Sequence, residues 1–238
     1  MENLEEAQEK ILKELTEEDI EVRGEFLKLF RAEVIKFSEA MAEAFLNWRT
    51  HDVGAEKNDK HAYISALVYT SIHLHILSMK LYISGYSVAA GNLFRQVVET
   101  IALALLCSGK DLNIIEKFIN KKYSTRKSVQ DLIRHADKLG LNKDSVKDLK
   151  NAVSFYHKFS HINLLTIASG MSFSKQSLFV GSSFDQGKIE SYKKEVNGRI
   201  NLALVFSNFI DGVKENFEKW ELPQSKEVDQ KGGTNHAP

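Results

Sequence analysis

Residues 87–109 read SVAAGNLFRQVVETIALALLCSG, a stretch that is apolar on nearly every side of a helix. A helix of this kind belongs at the centre of a bundle, because a surface helix keeps a polar face. Ser87 is the predicted N-cap and Gly109 ends the helix. Residues 61–84 form a second apolar helix, which Gly85 ends. The two segments predict a helical protein built around them.

The helical pattern continues on both sides of this pair. Apolar residues recur at spacings of three and four over residues 26–48 and again over residues 192–220, which predicts two long amphipathic helices. Residues 16–19 resemble a capping box in front of the first of them. A basic, less apolar region covers residues 110–139, and a further helix is expected over residues 143–161.

Residues 162–186 interrupt the pattern with many serines, and we expect a short irregular or hairpin excursion there. The polar tail over residues 222–238 contains both prolines and is expected to be disordered. The predicted helices outside this excursion and tail indicate an all-α, up-and-down helical bundle. Residues 1–221 are expected to form this single domain, with residues 1–50 as an N-terminal helical extension that packs on it.

Charge is balanced overall but unevenly spread. The formal net charge is zero, so the molecule as a whole gives no electrostatic reason to bind nucleic acid. Residues 1–50 contain 13 acidic and 7 basic residues, a net charge of −6, and residues 110–150 contain 11 basic and 6 acidic residues, a net charge of +5. The basic region is either a phosphate-binding patch or a solvated face that attracts the acidic N-terminal helix.

The expected location is the cytoplasm. Cys107 is the single cysteine and cannot form an internal disulfide, which indicates a reducing compartment. The opening MENLEEAQEK lacks the pattern of a signal peptide. The apolar tract over residues 64–106 is interrupted by histidines and charged residues, so we expect buried helices and no membrane contact.

Several common catalytic and metal-binding patterns are absent from the sequence. It contains no GxxxxGK[ST] phosphate loop, no HExxH zinc motif, no CxxC pair and no GxSxG nucleophile elbow. No histidine follows a glutamate by three residues, as the Glu-x-x-His pairs of di-iron bundles require. We therefore expect neither a cofactor nor a metal ion.

The candidate functional residues lie on two of the predicted helices. Residues 155–161 read FYHKFSH, which places His157 and His161 on one helix face. Arg95 and Glu99 lie four apart and can form an ion pair. A nuclease site and a two-histidine metal clamp are alternatives to a buried polar cluster. The predicted polar cluster comprises Tyr156, His157, Ser160, His161, Arg95 and Glu99.

The pattern GYSVAAGNLFRQVVETIALALL, followed about sixty residues later by YHKFSH, resembles an uncharacterised bacterial family of helical proteins. That family has an Arg-x-x-x-Glu helix and a Tyr-x-x-φ-Ser-His-type segment. Its helical arrangement in turn resembles the HEPN superfamily (higher eukaryotes and prokaryotes nucleotide-binding). The resemblance covers residues 61–161 and the last helix. It implies a bundle that is often a homodimer, and the metal-independent ribonuclease activity of toxin and phage-defence proteins.

The resemblance also implies roles for individual residues. HEPN ribonucleases bind phosphate with the arginine of an Arg-x(4–6)-His motif and use its histidine for acid–base chemistry. No arginine lies five to seven residues before a histidine here, so Arg95 from the neighbouring helix is the expected phosphate ligand. Glu99 would position Arg95, and His161 would be the acid–base group with His157 assisting. The remaining expected binding residues are Tyr156, Ser160, Asn92, Lys121, Lys122, Arg126 and Lys127.

Two functions are compatible with these features. The first is a HEPN-like ribonuclease of the toxin or phage-defence type, or a degenerate relative, that acts on RNA. The alternative is a non-enzymatic dimeric helical module that binds a protein partner, a small molecule or a nucleotide. The sequence alone does not decide whether the protein is an enzyme.

Overall fold

The computed structural model describes most of the chain up to residue 221. The described ranges are residues 3–52, 59–161, 163–174, 177–179 and 181–221. The expected disordered tail at residues 222–238 lies outside them.

The described chain is all-α apart from one short hairpin, which confirms the predicted fold class. Two helices, α3 and α4, form the central antiparallel pair, and α2, α6, α7 and α10 pack around them. The helices are α1 Leu4–Thr16, α2 Ile20–Asp52, α3 Asp59–Ile83, α4 Ser87–Ser108, α5 Ile114–Ile119, α6 Ser128–His135, α7 Lys143–Tyr156, α8 Leu164–Ser169, α9 Ile189–Leu204 and α10 Phe206–Glu221, and the strands are β1 Met171–Ser172 and β2 Ser177–Leu178.

Helix α4 lies in the core, as its composition predicts. Every residue from Ile101 to Ser108 is buried, so this end of the helix is enclosed on all sides. Burying a leucine or isoleucine side chain stabilises the fold by about 1.5–3 kcal/mol. By length and composition α3 and α4 could also cross a membrane, but 44% and 67% of their most apolar windows are buried inside the bundle. The core helices of a soluble protein pass the same test.

The two predicted amphipathic stripes face this core. On α2 the buried side chains include Phe26, Phe30 and Phe37. The long C-terminal helix is divided, because helical geometry is interrupted at Val205 between α9 and α10. The break leaves the predicted stripe in register. Its buried members are Tyr192, Val196, Ile200, Ala203, Phe206, Ile210, Val213 and Phe217.

The predicted caps at two helix starts are wrong. Thr16 is the last residue of α1 and its hydroxyl donates to the carbonyl of Leu12 at 2.8 Å, so it does not cap α2. The capping box in this part of the chain is formed by Asn3 and Glu6 at the start of α1. Ser87 is the first residue of α4 and not its N-cap, because the turn at Gly85 brings the chain into the helix one residue earlier.

The predicted excursion contains a short helix followed by the expected hairpin. Strands β1 and β2 pair antiparallel, with Met171 opposite Leu178. The buried carboxylate of Asp185 ties the hairpin to the bundle, because it accepts hydrogen bonds from the backbone of Phe173 and Gly187. The backbone N–H of Asp185 donates to the Tyr192 hydroxyl at 3.1 Å. The excursion therefore packs over the α3–α4 turn and the start of α9.

Gly85 in the α3–α4 turn supplies the first prediction. Its φ of +89° favours glycine, and an added Cβ would lie 2.5 Å from the backbone nitrogen of Ser183. We expect Gly85→Ala to lower the free energy of unfolding by more than the roughly 1–3 kcal/mol that such backbone strain alone costs. Gly140→Ala is the matched control, because Gly140 has a φ of +70° and no other atom lies within 4 Å of the place that a Cβ would occupy. If urea unfolding showed the same loss of unfolding free energy for both variants, the contact with Ser183 would not be the cause.

Candidate functional site

Arg95, Glu99 and His157 form a hydrogen-bonded group between α4 and the end of α7. The Nε of Arg95 donates to Glu99 Oε1 at 2.8 Å, and its Nη1 donates to His157 Nδ1 at 2.9 Å. The side chains of Arg95 and Glu99 are 15% and 14% exposed, so the ion pair is largely buried. The structure therefore brings three of the four expected catalytic residues into direct contact.

The protonation state of His157 follows from its partner. A guanidinium only donates hydrogen bonds, so His157 Nδ1 must accept and the ring proton must lie on Nε2. Burial lowers the pKa of His157, and the positive charges of Arg95 and Arg126 lower it further. His157 is therefore a neutral imidazole that can donate through Nε2, while its Nδ1 is occupied.

His161 lies beside His157 but in a different geometry from the one expected. Helix α7 ends at Tyr156, and residues 157–160 form a 3-10 turn after which His161 is extended. The ring centroids of His157 and His161 are nevertheless 4.6 Å apart. The side chain of His161 is exposed, while its backbone carbonyl accepts hydrogen bonds from Asn163 at 3.1 Å and from Thr166 at 3.3 Å. An exposed imidazole is thus held on a fixed backbone.

The single predicted cluster is divided into two. The buried Tyr156 points to the other side of α7, where its hydroxyl donates to Glu195 Oε2 at 2.9 Å, so its expected place beside Arg95 is wrong. The side chain of Ser160 lies outside the described part of the structure. Asn92 is half-buried on α4, one turn before Arg95. The first group therefore consists of the largely buried ion pair, the half-buried His157 and the exposed His161.

A second polar group, which sequence reasoning missed, lies inside the bundle around Arg199. This side chain is fully buried and its Nη1 donates to Glu195 Oε2 at 2.8 Å. Its Nε donates to Ser78 Oγ at 3.1 Å, and its guanidinium carbon lies 4.4 Å from the ring centre of Tyr82. Within the described ranges its Nη2 has no hydrogen-bond partner. The signal in the sequence is an arginine at an apolar position of the 192–220 stripe, four residues after a glutamate.

His75 belongs to the same interior group. Its Nε2 lies 3.0 Å from the backbone carbonyl of Arg199, and because a carbonyl only accepts, Nε2 carries the proton. Burial, together with the charge of Arg199, lowers the pKa of His75 to about 3. His73, two residues earlier, is exposed. The two histidines therefore point in different directions, as their spacing predicts.

The expected basic residues are exposed, and Arg126 is near enough to His157 to lower the pKa of its imidazole. Lys121, Lys122, Arg126 and Lys127 are all exposed. The hydroxyl of Ser128 donates to the backbone carbonyl of Glu99 at 2.9 Å, which fixes this segment against α4. A cavity of about 440 Å³ opens in the same region. Its basic lining residues are Lys117, Lys122, Lys127, Arg134, His135 and Lys138.

The metal-clamp alternative lacks a set of ligands in the described part of the chain. No group of three histidine, cysteine, aspartate or glutamate side chains is arranged there to hold a metal ion. Glu99, which could have supplied a third ligand, is bound to Arg95.

The chain was compared with protein-family models, with curated proteins and with solved structures. None of the three comparisons finds a match.

Proposed function

We propose that this chain is a HEPN-like protein that binds RNA and cleaves it, with His161 as the acid–base group. One observation carries the proposal: the exposed His161 ring lies 4.6 Å from the ring of a neutral histidine that Arg95 holds. An exposed imidazole is suited to acid–base catalysis near neutral pH. A role as a toxin or in phage defence rests on the sequence resemblance.

In the proposed reaction His161 accepts the proton of a ribose 2′-hydroxyl, whose oxygen attacks the adjacent phosphorus. The bond from phosphorus to the 5′-oxygen breaks, and this oxygen takes a proton from water. The products are a 2′,3′-cyclic phosphate and a 5′-hydroxyl. His157 Nε2–H would donate to a phosphate oxygen, and the charge of Arg95 would favour the negative charge that develops there.

The basic surface supports RNA as the substrate. Lysine and arginine side chains bind nucleic acid by neutralising phosphates, and such binding weakens as salt rises. Arg126 is close enough to His157 to lower its pKa, so the basic surface continues to the histidines. An RNA strand on this surface would pass beside His161.

The second prediction tests this site. We expect His161→Ala to reduce RNA cleavage by at least about 100-fold, the usual contribution of a general acid or base. His73→Ala is the matched control, because His73 is also exposed and lies on α3. The assay measures cleavage of a mixed RNA pool, with and without EDTA, and the melting temperature of each variant shows whether it is folded.

The outcomes separate the alternatives. Cleavage by wild type and by His73→Ala, but not by His161→Ala, that survives EDTA supports the proposal. Cleavage that EDTA abolishes would instead favour a metal held by His157 and His161. A folded wild-type protein without any cleavage would overturn the ribonuclease proposal.

A second candidate function, binding of a small molecule without catalysis, is favoured by a different cavity. This cavity of about 340 Å³ lies between α3, α7, α8 and α9, within the size range of ligand sites. Glu195 lines it, and six of its lining residues are aromatic. Those aromatic residues are Phe26, Tyr82, Phe155, Phe159, Phe173 and Tyr192. A rise in melting temperature with a nucleotide or another aromatic compound would support this function.

We also propose a cytoplasmic location, which the buried free thiol of Cys107 supports.

A further inference from the structure

The cavity of about 340 Å³ between α3, α7, α8 and α9 is lined by two parts of the chain. Tyr82 of α3 and Tyr192 of α9 belong to the bundle, and Leu165, Ala168 and Phe173 belong to the excursion over residues 162–186. Both parts contribute aromatic rings. Aromatic rings pack well against one another in edge-to-face and offset-stacked arrangements. The lining therefore favours an aromatic ligand over an aliphatic one.

Lys188, which directly precedes α9, is a half-buried cation in the lining of this cavity. Its Nζ donates to the backbone carbonyls of Ala168 at 2.8 Å and Ser169 at 3.1 Å. The same nitrogen lies 5.2 Å from the ring centre of Phe173 and 5.9 Å from that of Phe179. These contacts hold the ammonium group in place, so no ligand has to order it.

The ammonium of Lys188 retains the capacity to bind an anion. It carries three N–H donors, and the two carbonyls accept two of them. Burial lowers the pKa of Lys188, which means that its charge has lost part of its hydration. The charge of Asp185 acts in the opposite direction, but that carboxylate is buried and accepts hydrogen bonds from the backbone of Phe173 and Gly187. A carboxylate from a ligand would supply an acceptor for the third donor of Lys188.

The other charged residues of the cavity also favour an anion. Lys194 is exposed and lines the cavity. Glu195 is the one acidic side chain among the described residues that line it. The carboxylate of Glu195 accepts hydrogen bonds from Arg199 at 2.8 Å and from the Tyr156 hydroxyl at 2.9 Å, so its charge is compensated inside the bundle. The positive charges of Lys188 and Lys194 therefore remain for a ligand.

We propose that this cavity binds an aromatic carboxylate, with its ring against the aromatic lining and its carboxylate on the ammonium of Lys188. The proposal names the ligand class of the second candidate function and rests on that function. A hydrogen bond between an ammonium and a carboxylate is stronger than one between neutral groups. Lys194 adds a second positive charge at the same cavity.

The third prediction compares ligands on the wild-type protein. Isothermal titration calorimetry should show that phenylacetate binds at least about tenfold more tightly than phenylethanol, because a hydrogen bond to a charged group contributes that much to affinity. Phenylethylamine has the same ring and the opposite charge, so it should bind more weakly than either. Cyclohexylacetate keeps the carboxylate but has no aromatic ring, and it should bind more weakly than phenylacetate.

Two variants place the ligand in this cavity. Lys188→Met should weaken phenylacetate binding by at least about tenfold and should affect phenylethanol far less. Lys193→Met is the matched control, because Lys193 is an exposed lysine on α9. Phe155→Ala should weaken the binding of both compounds, since Phe155 lines the cavity and is 41% exposed.

Stability is measured alongside, because Lys188 also holds the last carbonyls of α8. The melting temperature of each variant shows whether it is folded. If Lys188→Met is unfolded, the four ligands on the wild-type protein and the Phe155→Ala variant still test the proposal.

The outcomes separate this proposal from the second candidate function. Equal affinities for phenylacetate and phenylethanol would overturn the carboxylate and leave binding of an aromatic compound in place. Equal affinities for phenylacetate and cyclohexylacetate would overturn the aromatic ring. A folded Lys188→Met variant with wild-type affinity for phenylacetate would overturn the role of Lys188. Wild-type protein that does not bind phenylacetate would also overturn the proposal, whether or not a neutral compound binds.

Discussion

Arg199→Ala should lower the free energy of unfolding by about 3–5 kcal/mol, the usual result of removing one partner from a buried ion pair. The Arg199 side chain is fully buried, and Glu195, its partner at 2.8 Å, is 14% exposed. In the structure the Glu195 carboxylate accepts hydrogen bonds from Arg199 and from the Tyr156 hydroxyl. The variant removes the first of these two bonds. It also empties the space between Tyr82 and Phe94, whose rings lie against the guanidinium. Urea unfolding followed by circular dichroism measures the loss.

Two further variants show whether the loss of stability comes from the buried ion pair. Lys193→Ala on the same helix removes a surface pair with Glu190 and should leave stability unchanged. The double variant Arg199→Met, Glu195→Gln should be more stable than Arg199→Met alone, because it removes both buried charges. If Arg199→Ala left the free energy of unfolding as unchanged as Lys193→Ala should, the buried pair would not stabilise the fold.

Acid should destabilise the protein through His75. Its pKa is about 3 in the folded chain and about 6.5 in an unfolded one. Between these values the unfolded state binds a proton that the folded state does not. The contribution of His75 is therefore intact above pH 6.5 and falls by about 1.4 kcal/mol per pH unit as pH drops toward 3.

The comparison that isolates His75 is the pH dependence of His75→Gln. Carboxylates also titrate over part of this range, but they are common to both proteins and cancel in the difference. We expect the stability difference between wild type and variant to shrink steadily from pH 6.5 to pH 4. His73→Gln, which removes an exposed histidine on the same helix, is the matched control variant. Parallel curves for wild type and His75→Gln would show that the buried imidazole does not control acid unfolding.

The sequence predicts the architecture well because hydrophobic periodicity is a local signal that burial preserves. The run from Ile101 to Ser108 is buried on all sides as expected, and the stripe from Tyr192 to Phe217 stays in register even though α9 and α10 are separated at Val205. Helix ends were predicted less well. Tyr86 and not Ser87 is the N-cap because of the turn at Gly85, and a short sequence pattern does not predict the geometry of that turn.

The candidate site was predicted in part. The sequence indicated the contact among Arg95, Glu99 and His157, because polar residues on the apolar helix α4 need a polar partner. The contact forms because α4 is central and α7 packs against it. Tyr156 was assigned to the wrong side because consecutive helical residues point in directions about 100° apart, so Tyr156 leaves α7 on a different side from His157. Arg199 was missed because its spacing of four from Glu195 also fits an ion pair on a helix surface.

Tyr156 and His157 are consecutive residues, yet their side chains end in different polar groups. Tyr156 donates to Glu195 in the interior, and His157 accepts from Arg95 near the surface. The end of α7 is therefore held from two sides, by Glu195 through Tyr156 and by Arg95 through His157. Loss of either contact would leave the C-terminal end of α7 held by the other.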